Sequence, residues 1–336
     1  MAFIKAVRQT VPMLISLSGT SGSGKTMSGL LLAAGLAGTN GRIGMIDAEN
    51  KRGSLYADDP LVTSALPQGY EIEEISAPYT PKKYIDRITE AEKSGISVCI
   101  IDSTSHEWEG EGGCCDIAEN NKLRGMPNWA MAKREHKKFL AYCLSSNMHI
   151  IFCLRAREKI KIVKVNNKEE IVPIGIQPIA EKNFVFEMLL SLQFDEATHY
   201  ARGIKVPKML VDVFPGDRMI TKADGERMRI WNETGATAEP NEQLKKRARS
   251  SAEQGMATYT AFFAELSTQQ KKVIRDSVHD ELKAIAASAD KSDAPQEVSE
   301  LPDPFEFSPG HRLVCKGVLY EANSDLTSWT KVEHAA

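Results

Sequence analysis

The sequence predicts an α/β fold: a mainly parallel central sheet flanked by helices, followed by a small C-terminal helical module. Three observations carry that prediction. A Gly-rich turn, Gly19 to Thr26, lies between an apolar strand-like stretch, Met13 to Leu17, and a helix-like one, Ser28 to Leu36. Two later apolar runs end in carboxylates, at Asp47 and at Asp102. Strand-like and helix-like runs then alternate at the spacing of crossover units.

The turn reads Gly19, Thr20, Ser21, Gly22, Ser23, Gly24, Lys25, Thr26. Between a strand and a helix this is a P-loop in its required context, whereas in isolation it would be a flexible Gly/Ser turn. Successive N–H groups of such a loop hold phosphates, the lysine reaches the β/γ oxygens, and the Thr26 hydroxyl coordinates magnesium. ATP with magnesium is the implied ligand pair. The next strand, Arg42 to Asp47, is followed by Ala48 and Glu49, which sets two carboxylates at the ligand edge of a parallel sheet. Glu49 is the candidate base for the attacking water, and Asp47 either shares that edge or caps the turn. Thr80-Pro81 opens a helix as N-cap and first residue, with Tyr84, Ile85 and Ile88 on its apolar side and Gly95 at its end. The strand Ser97 to Asp102 supplies the acidic partner of the loop: Asp102 would order a magnesium-bound water beside Thr26, or would cap the next turn.

Beyond it, the Gly-containing stretch His106 to Trp129 precedes a helical segment, Trp129 to Ser145, and the buried strand His149 to Leu154, whose end carries Arg155. Lys159 to Val172 reads as two β-prone runs around Asn166-Asn167, a hairpin. Alternation puts Lys159 and Lys161 on one face, opposite Ile160 and Ile162, so the ribbon offers a basic side, partly offset by Glu158, Glu169 and Glu170. Phe184 to Leu192 and Lys205 to Phe214 read as strands completing the sheet, joined near Arg202-Gly203. Composition shifts near Thr237 to Gln243. Two amphipathic helices follow. The first carries Tyr259, Phe262, Phe263 and Leu266; a Ser267/Gln270 capping box starts a second with Ile274, Val278, Leu282 and Ile285. Residues 290–307 form an acidic linker, and Leu313 to Tyr320 either make a short hairpin or fold on binding. The expected domains are 1–235, 236–289 as an αα-hairpin, the linker, and a tail 308–336.

Ile46-Asp47-Ala48-Glu49 followed by Ile101-Asp102-Ser103 resembles the paired motifs of RecA and RadB-type recombinases. Gly53-Ser54, Tyr56-Ala57-Asp58, Pro78-Tyr79-Thr80-Pro81 and the run Asp102 to Gly110 narrow the resemblance to a phage and prophage branch of RecA-fold P-loop ATPases associated with single-strand annealing. It spans Met13 to Phe214. It implies Glu49 as catalytic base, Asp102 as the metal-side carboxylate, and Arg155 where those proteins carry a sensor Gln. An Arg there either contacts the γ-phosphate or pairs with Asp102 or Glu49 structurally. The resemblance also implies DNA-contacting loops, here Arg157, Lys159, Lys161 and Lys164 in one and Lys122 and Arg124 in the other. Lys205 and Lys208 would reach a neighbouring subunit's phosphates, or would be ordinary edge-strand lysines. The partners implied are single-stranded DNA, further copies in a ring or filament, and phage or host recombination and replication proteins.

The 336 residues are 42% hydrophobic and 26% charged, with 42 basic against 45 acidic side chains. That balance excludes a uniformly basic nucleic-acid coat, so a DNA surface must be local. No apolar run approaches a membrane span and Met1 to Lys5 lacks a signal-peptide core. The six cysteines lack metal-ligand spacing and read as reduced thiols of a cytoplasmic protein, bacterial or in a phage-infected cell. Three alternatives stay open: a helicase-loader-like accessory ATPase working through a protein partner, a nucleotide switch with little turnover, and a small-molecule phosphotransferase. Against the last stand Glu49 and the absence of an Arg-rich lid.

Overall fold

The apolar runs become strands because β-branched and aliphatic side chains without polar alternation suit a position buried on both faces. In the computed structural model these are β1 (Leu14–Gly19), β2 (Arg42–Asp47), β4 (Ile96–Asp102) and the first half of β5 (His149–Val165). The structure describes residues 6–165, 168–234, 236–237, 240–293, 296–298, 300, 312–323 and 328–332. The expected turn at Asn166-Asn167 lies outside them, and of Lys161 and Lys164 only the backbone is described. The chain forms two compact units, Met1–Gly113 with Ser146–Ala238, and Cys114–Ser145 with Glu239–Ala336.

In the first unit, β3 (Glu71–Glu74), β6 (Lys168–Pro178), β7 (Leu190–Phe194) and β8 (Ala201–Lys205) complete an eight-stranded sheet of order β3-β2-β4-β5-β1-β7-β8, with β6 pairing β5 off that path. Every pairing from β3 to β7 is parallel; β8 and β6 run antiparallel to their neighbours. The mainly parallel sheet is therefore as expected. β3 sits at one edge, and its glutamates discourage further pairing there. Met13, Ile15 and Leu17 pack with Val98, Ile100, Ile151 and Leu192 against α1 (Lys25–Ala37) on one face. Gly35 lets the helix Lys222–Glu233 cross α1 closely: a Cβ there would lie 2.1 Å from the Lys222 carbonyl oxygen. On the other face α2 (Pro81–Lys93) buries Tyr84 and Ile88, and its Thr80 cap accepts the Lys83 N–H as the sequence predicts.

Two expected strands are corrected. Phe184–Glu187 is a helical turn, because Glu181 accepts the Asn183 N–H and buried Phe184 turns edge-on to Phe152 at 5.1 Å; the strand starts only at Leu190. The chain leaves the sheet after Lys205, since Pro207 has no N–H to donate, and Lys208–Leu210 forms a 3-10 turn. Arg202 and Gly203 lie inside β8, and the connection is a turn in which Asp195 accepts the Ala197 and Thr198 N–H groups.

In the second unit, helices Cys114–Asn120 and Trp129–Ser145 accompany Pro240–Ala252, Met256–Glu265, Thr268–Ser277 and His279–Asp293. The expected continuous domain 1–235 thus gives up residues 114–145. The second predicted helix is split at Val278, whose φ of −139° ends one helix. The next begins at His279, whose Nδ1 meets the Tyr259 hydroxyl at 2.7 Å. Tyr259, Ile274 and Leu282 form the core here with Leu244, Ala248 and Ala252. The C-terminal hairpin is present: Arg312–Cys315 pairs Val318–Ala322 around Lys316 and Gly317, both at positive φ. No described helix is long and apolar enough to cross a membrane.

Candidate functional site

Parallel register brings the functional ends to one edge. Asp47 lies opposite Asp102, Asp102 opposite Cys153, and Gly19 opposite Arg155. Because β5 is inserted between β1 and β4, the P-loop and Asp102 face each other across a strand end.

The loop follows β1 and passes into α1 through Gly24. Gly22 and Gly24 adopt φ of 82° and 89°, a region that favours glycine. Gly24 caps α1 with backbone alone, and among the described residues no side-chain cap takes up the first-turn N–H groups, an arrangement suited to an anion. Ser21 and Gly22 are exposed, while the Ser23 hydroxyl is buried and donates to the Thr20 carbonyl at 2.9 Å. Lys25 is buried, and its ammonium donates to the Thr20 carbonyl at 2.6 Å. Burial lowers its pKa from the ordinary value, opposed by the negative charge of Asp102 and Glu49.

Thr26 donates its hydroxyl to Asp102 Oδ2 at 2.5 Å. Asp102 is 6% exposed, and burial pushes its carboxyl up to about 6, with the Thr26 hydrogen bond pulling the other way. A hydroxyl and a desolvated carboxylate side by side are a hard-oxygen donor pair, and a small divalent cation fits them by chemistry and by charge.

Asp47 and Glu49 divide their labour. Asp47 caps the turn: Oδ1 accepts the Glu49 N–H at 2.6 Å and Oδ2 the Gly53 N–H at 2.8 Å. Glu49 turns to Arg155, which grips it with Nε to Oε1 at 2.7 Å and Nη2 to Oε2 at 2.5 Å. That pair holds the Arg155 pKa above its usual value. His106, tilted 33° against Tyr79 with ring centroids 4.8 Å apart, has its pKa lowered by burial and by the Arg155 charge.

The ribbon β5–β6 continues from Arg155. Arg157, Lys159 and Lys161 alternate along one row of the backbone, whereas Lys164 falls on the other, opposite Glu169. Arg157 is ion-paired with Glu109 at 2.5 Å, and Lys159 is exposed. Lys122, paired with Glu119 at 3.3 Å, and Arg124 belong to the second unit. Lys205 donates to the Phe186 carbonyl at 2.6 Å, and Lys208 is exposed.

Several participants carry no signal strong enough to assign them from sequence. Burial raises the hydroxyl pKa of Tyr56, and the neighbouring Thr26 side chain opposes that shift. Glu196 accepts from Thr20 at 2.9 Å. Ser105 Oγ accepts the Arg155 N–H at 2.9 Å and donates to the Ile179 carbonyl at 2.8 Å. Tyr56, Ser105 and Glu109 all lie in motif runs quoted above, and only their spatial neighbours reveal what they do.

Residues 12–223 match a family described as an AAA domain. No curated protein matches. Among solved structures, a crystal structure of the RadB recombinase aligns at 15% identity and a TM-score of 0.36, covering 60% of this chain and 84% of that one.

Proposed function

The chain belongs to the AAA domain family, matched over residues 12–223, and from that premise we propose that it binds ATP with magnesium at Gly19 to Thr26, hydrolyses it, and acts on single-stranded DNA. The observation that carries the nucleotide reading is the convergence of Lys25, Thr26 and Asp102 at one sheet edge, with Glu49 alongside. The loop amides and Lys25 hold the phosphates. Thr26 and Asp102 would hold magnesium, which when bound neutralises charge on the β- and γ-phosphate oxygens. Glu49 takes a proton from the attacking water as its oxygen bonds to the γ-phosphorus; the bond to the bridging oxygen breaks and ADP leaves with that electron pair.

The row of Arg157, Lys159 and Lys161 supports contact with a phosphate backbone. We place the protein in phage-type recombination, annealing or replication within a bacterial or phage-infected cytoplasm. It would work as a ring or filament in which Lys208, with Lys205, reaches a neighbour's phosphates. A second reading draws on the exposed apolar side chains of the same ribbon, Ile160 at 58%, Ile174 at 51% and Ile176 at 39%. Such side chains suit a protein surface better than DNA, as in a helicase-loader-like accessory ATPase.

The test is ATP hydrolysis with and without single-stranded DNA at two salt concentrations, beside Lys25→Ala. Salt-sensitive stimulation is expected, with turnover falling about a hundredfold or more in the variant. Turnover indifferent to DNA would favour the protein partner. No turnover despite tight ATP binding would reduce the protein to a nucleotide switch.

A further inference from the structure

Glu49 has both carboxylate oxygens engaged by one guanidinium. A carboxylate in a bidentate, charge-assisted pair is a poor proton acceptor until the pair opens. Stability does not explain the contact. The Arg155 side chain is 46% exposed against 13% for Glu49, and a pair with its cation in solvent is screened and adds little to folding. The charges point to exchange instead. Lys25 and Arg155 face Glu49 and Asp102, two cations against two carboxylates, so an incoming polyanion finds no surplus positive charge unless one pairing is given up. Lys25 and Asp102 are confined by burial; Arg155 is the cation with freedom to move.

The guanidinium of Arg155 is held, among the described residues, by Glu49 alone, while the backbone of that residue is held at both its N–H and its carbonyl. Its N–H is bound by Ser105 Oγ, its carbonyl accepts the Ile179 N–H at 2.8 Å, and Ser105 ties the two together. Its register opposite Gly19 sets it beside the start of the P-loop. The guanidinium is therefore carried on a rigid mount that adjoins both the base and the start of the phosphate loop.

Resting on the nucleotide reading above, we propose that Arg155 is an autoinhibitory latch on Glu49. It holds the base until a triphosphate binds, then exchanges the carboxylate for the terminal phosphate and so frees Glu49 to accept a proton. A diphosphate, lacking that group, leaves the latch closed. Arg155 acts on the base and is in this respect a positioning residue.

The test is a double-mutant cycle read by binding, independent of turnover: calorimetric affinities of the full chain for magnesium–AMP-PNP and for ADP, in wild type, Glu49→Gln, Arg155→Gln and the double variant. Removing the carboxylate abolishes the cost of opening the pair. Glu49→Gln is thus expected to tighten AMP-PNP about five- to tenfold with ADP unchanged, and to give less than about twofold when Arg155 is already Gln. Additive effects on AMP-PNP, or an equal gain for ADP, would overturn the latch while leaving the nucleotide site intact. Failure of wild type to bind either nucleotide would overturn the site itself. If Arg155→Gln does not fold, Arg155→Lys, which keeps the charge and loses the fork, serves in the same cycle with a smaller but still non-additive coupling expected.

Discussion

Strand β5 lives in two environments, and the contrast between its halves is instructive. Ile150 to Cys153 are buried and paired with parallel neighbours on both sides, β1 and β4. Arg157 to Ile160 pair with one antiparallel neighbour and are exposed. The first half reads as an unbroken apolar run and the second as charge alternating with isoleucine. The switch falls at Arg155, where the sheet ends and the candidate site begins. One half supplies rigidity and the other supplies reach. A continuous backbone joins them, so a ligand on the ribbon and one at the sheet edge would act on the same strand.

The comparison breaks most easily through stability. Phe152→Ala empties a fully buried ring position and is expected to cost about 3–5 kcal/mol in urea denaturation, whereas Ile160→Ala should stay within about 0.5 kcal/mol. Equal costs would mean that the ribbon is as deeply built into the fold as the core.

Acid should act next, at the buried entry of the strand. His149 Nδ1 accepts the Met13 N–H at 3.0 Å, and burial pulls its pKa down to about 4. The unfolded chain takes up the proton near pH 6.5, while the folded one resists until about 4. The stabilisation is therefore complete above pH 6.5 and is lost as pH falls through that window, on the order of 2 kcal/mol. Urea midpoints at pH 7.5, 5.5 and 4.5 should show this loss, with a flatter profile in His149→Gln; identical profiles would remove the histidine from the account.

The smallest effect belongs to the ribbon. Lys159→Gln should leave the melting temperature unchanged and lower the salt dependence of oligonucleotide binding by about one counterion. No change in that slope, beside a partner-binding defect in an Ile160 variant, would sharpen the ribbon into a protein-binding surface.

How much was legible varies by residue. The P-loop, Asp102 and the helix opened by Thr80-Pro81 are local patterns, in which a few neighbours fix conformation and burial together. The split at Val278 was not legible, because periodicity continues through a position where Tyr259 and His279 draw the chain into a new helix. Nor was the departure of residues 114–145 from the first unit, since helical periodicity states that a face is buried without stating against what. Glu109 and Ser105 looked like ordinary polar residues until strand ends brought partners to them.

The sequence by itself determined the elements at the site: a glycine turn able to take positive φ between strand and helix, and carboxylates closing apolar strands. Those are consequences of covalent geometry and of the burial of short runs. Only the tertiary structure decided that Asp47 caps a turn, that Asp102 meets Thr26, and that Arg155 closes on Glu49 across 106 residues of chain. Such pairings depend on which strand ends lie side by side. That order is set by how the whole sheet packs, through many weak apolar contacts, and no single motif records it.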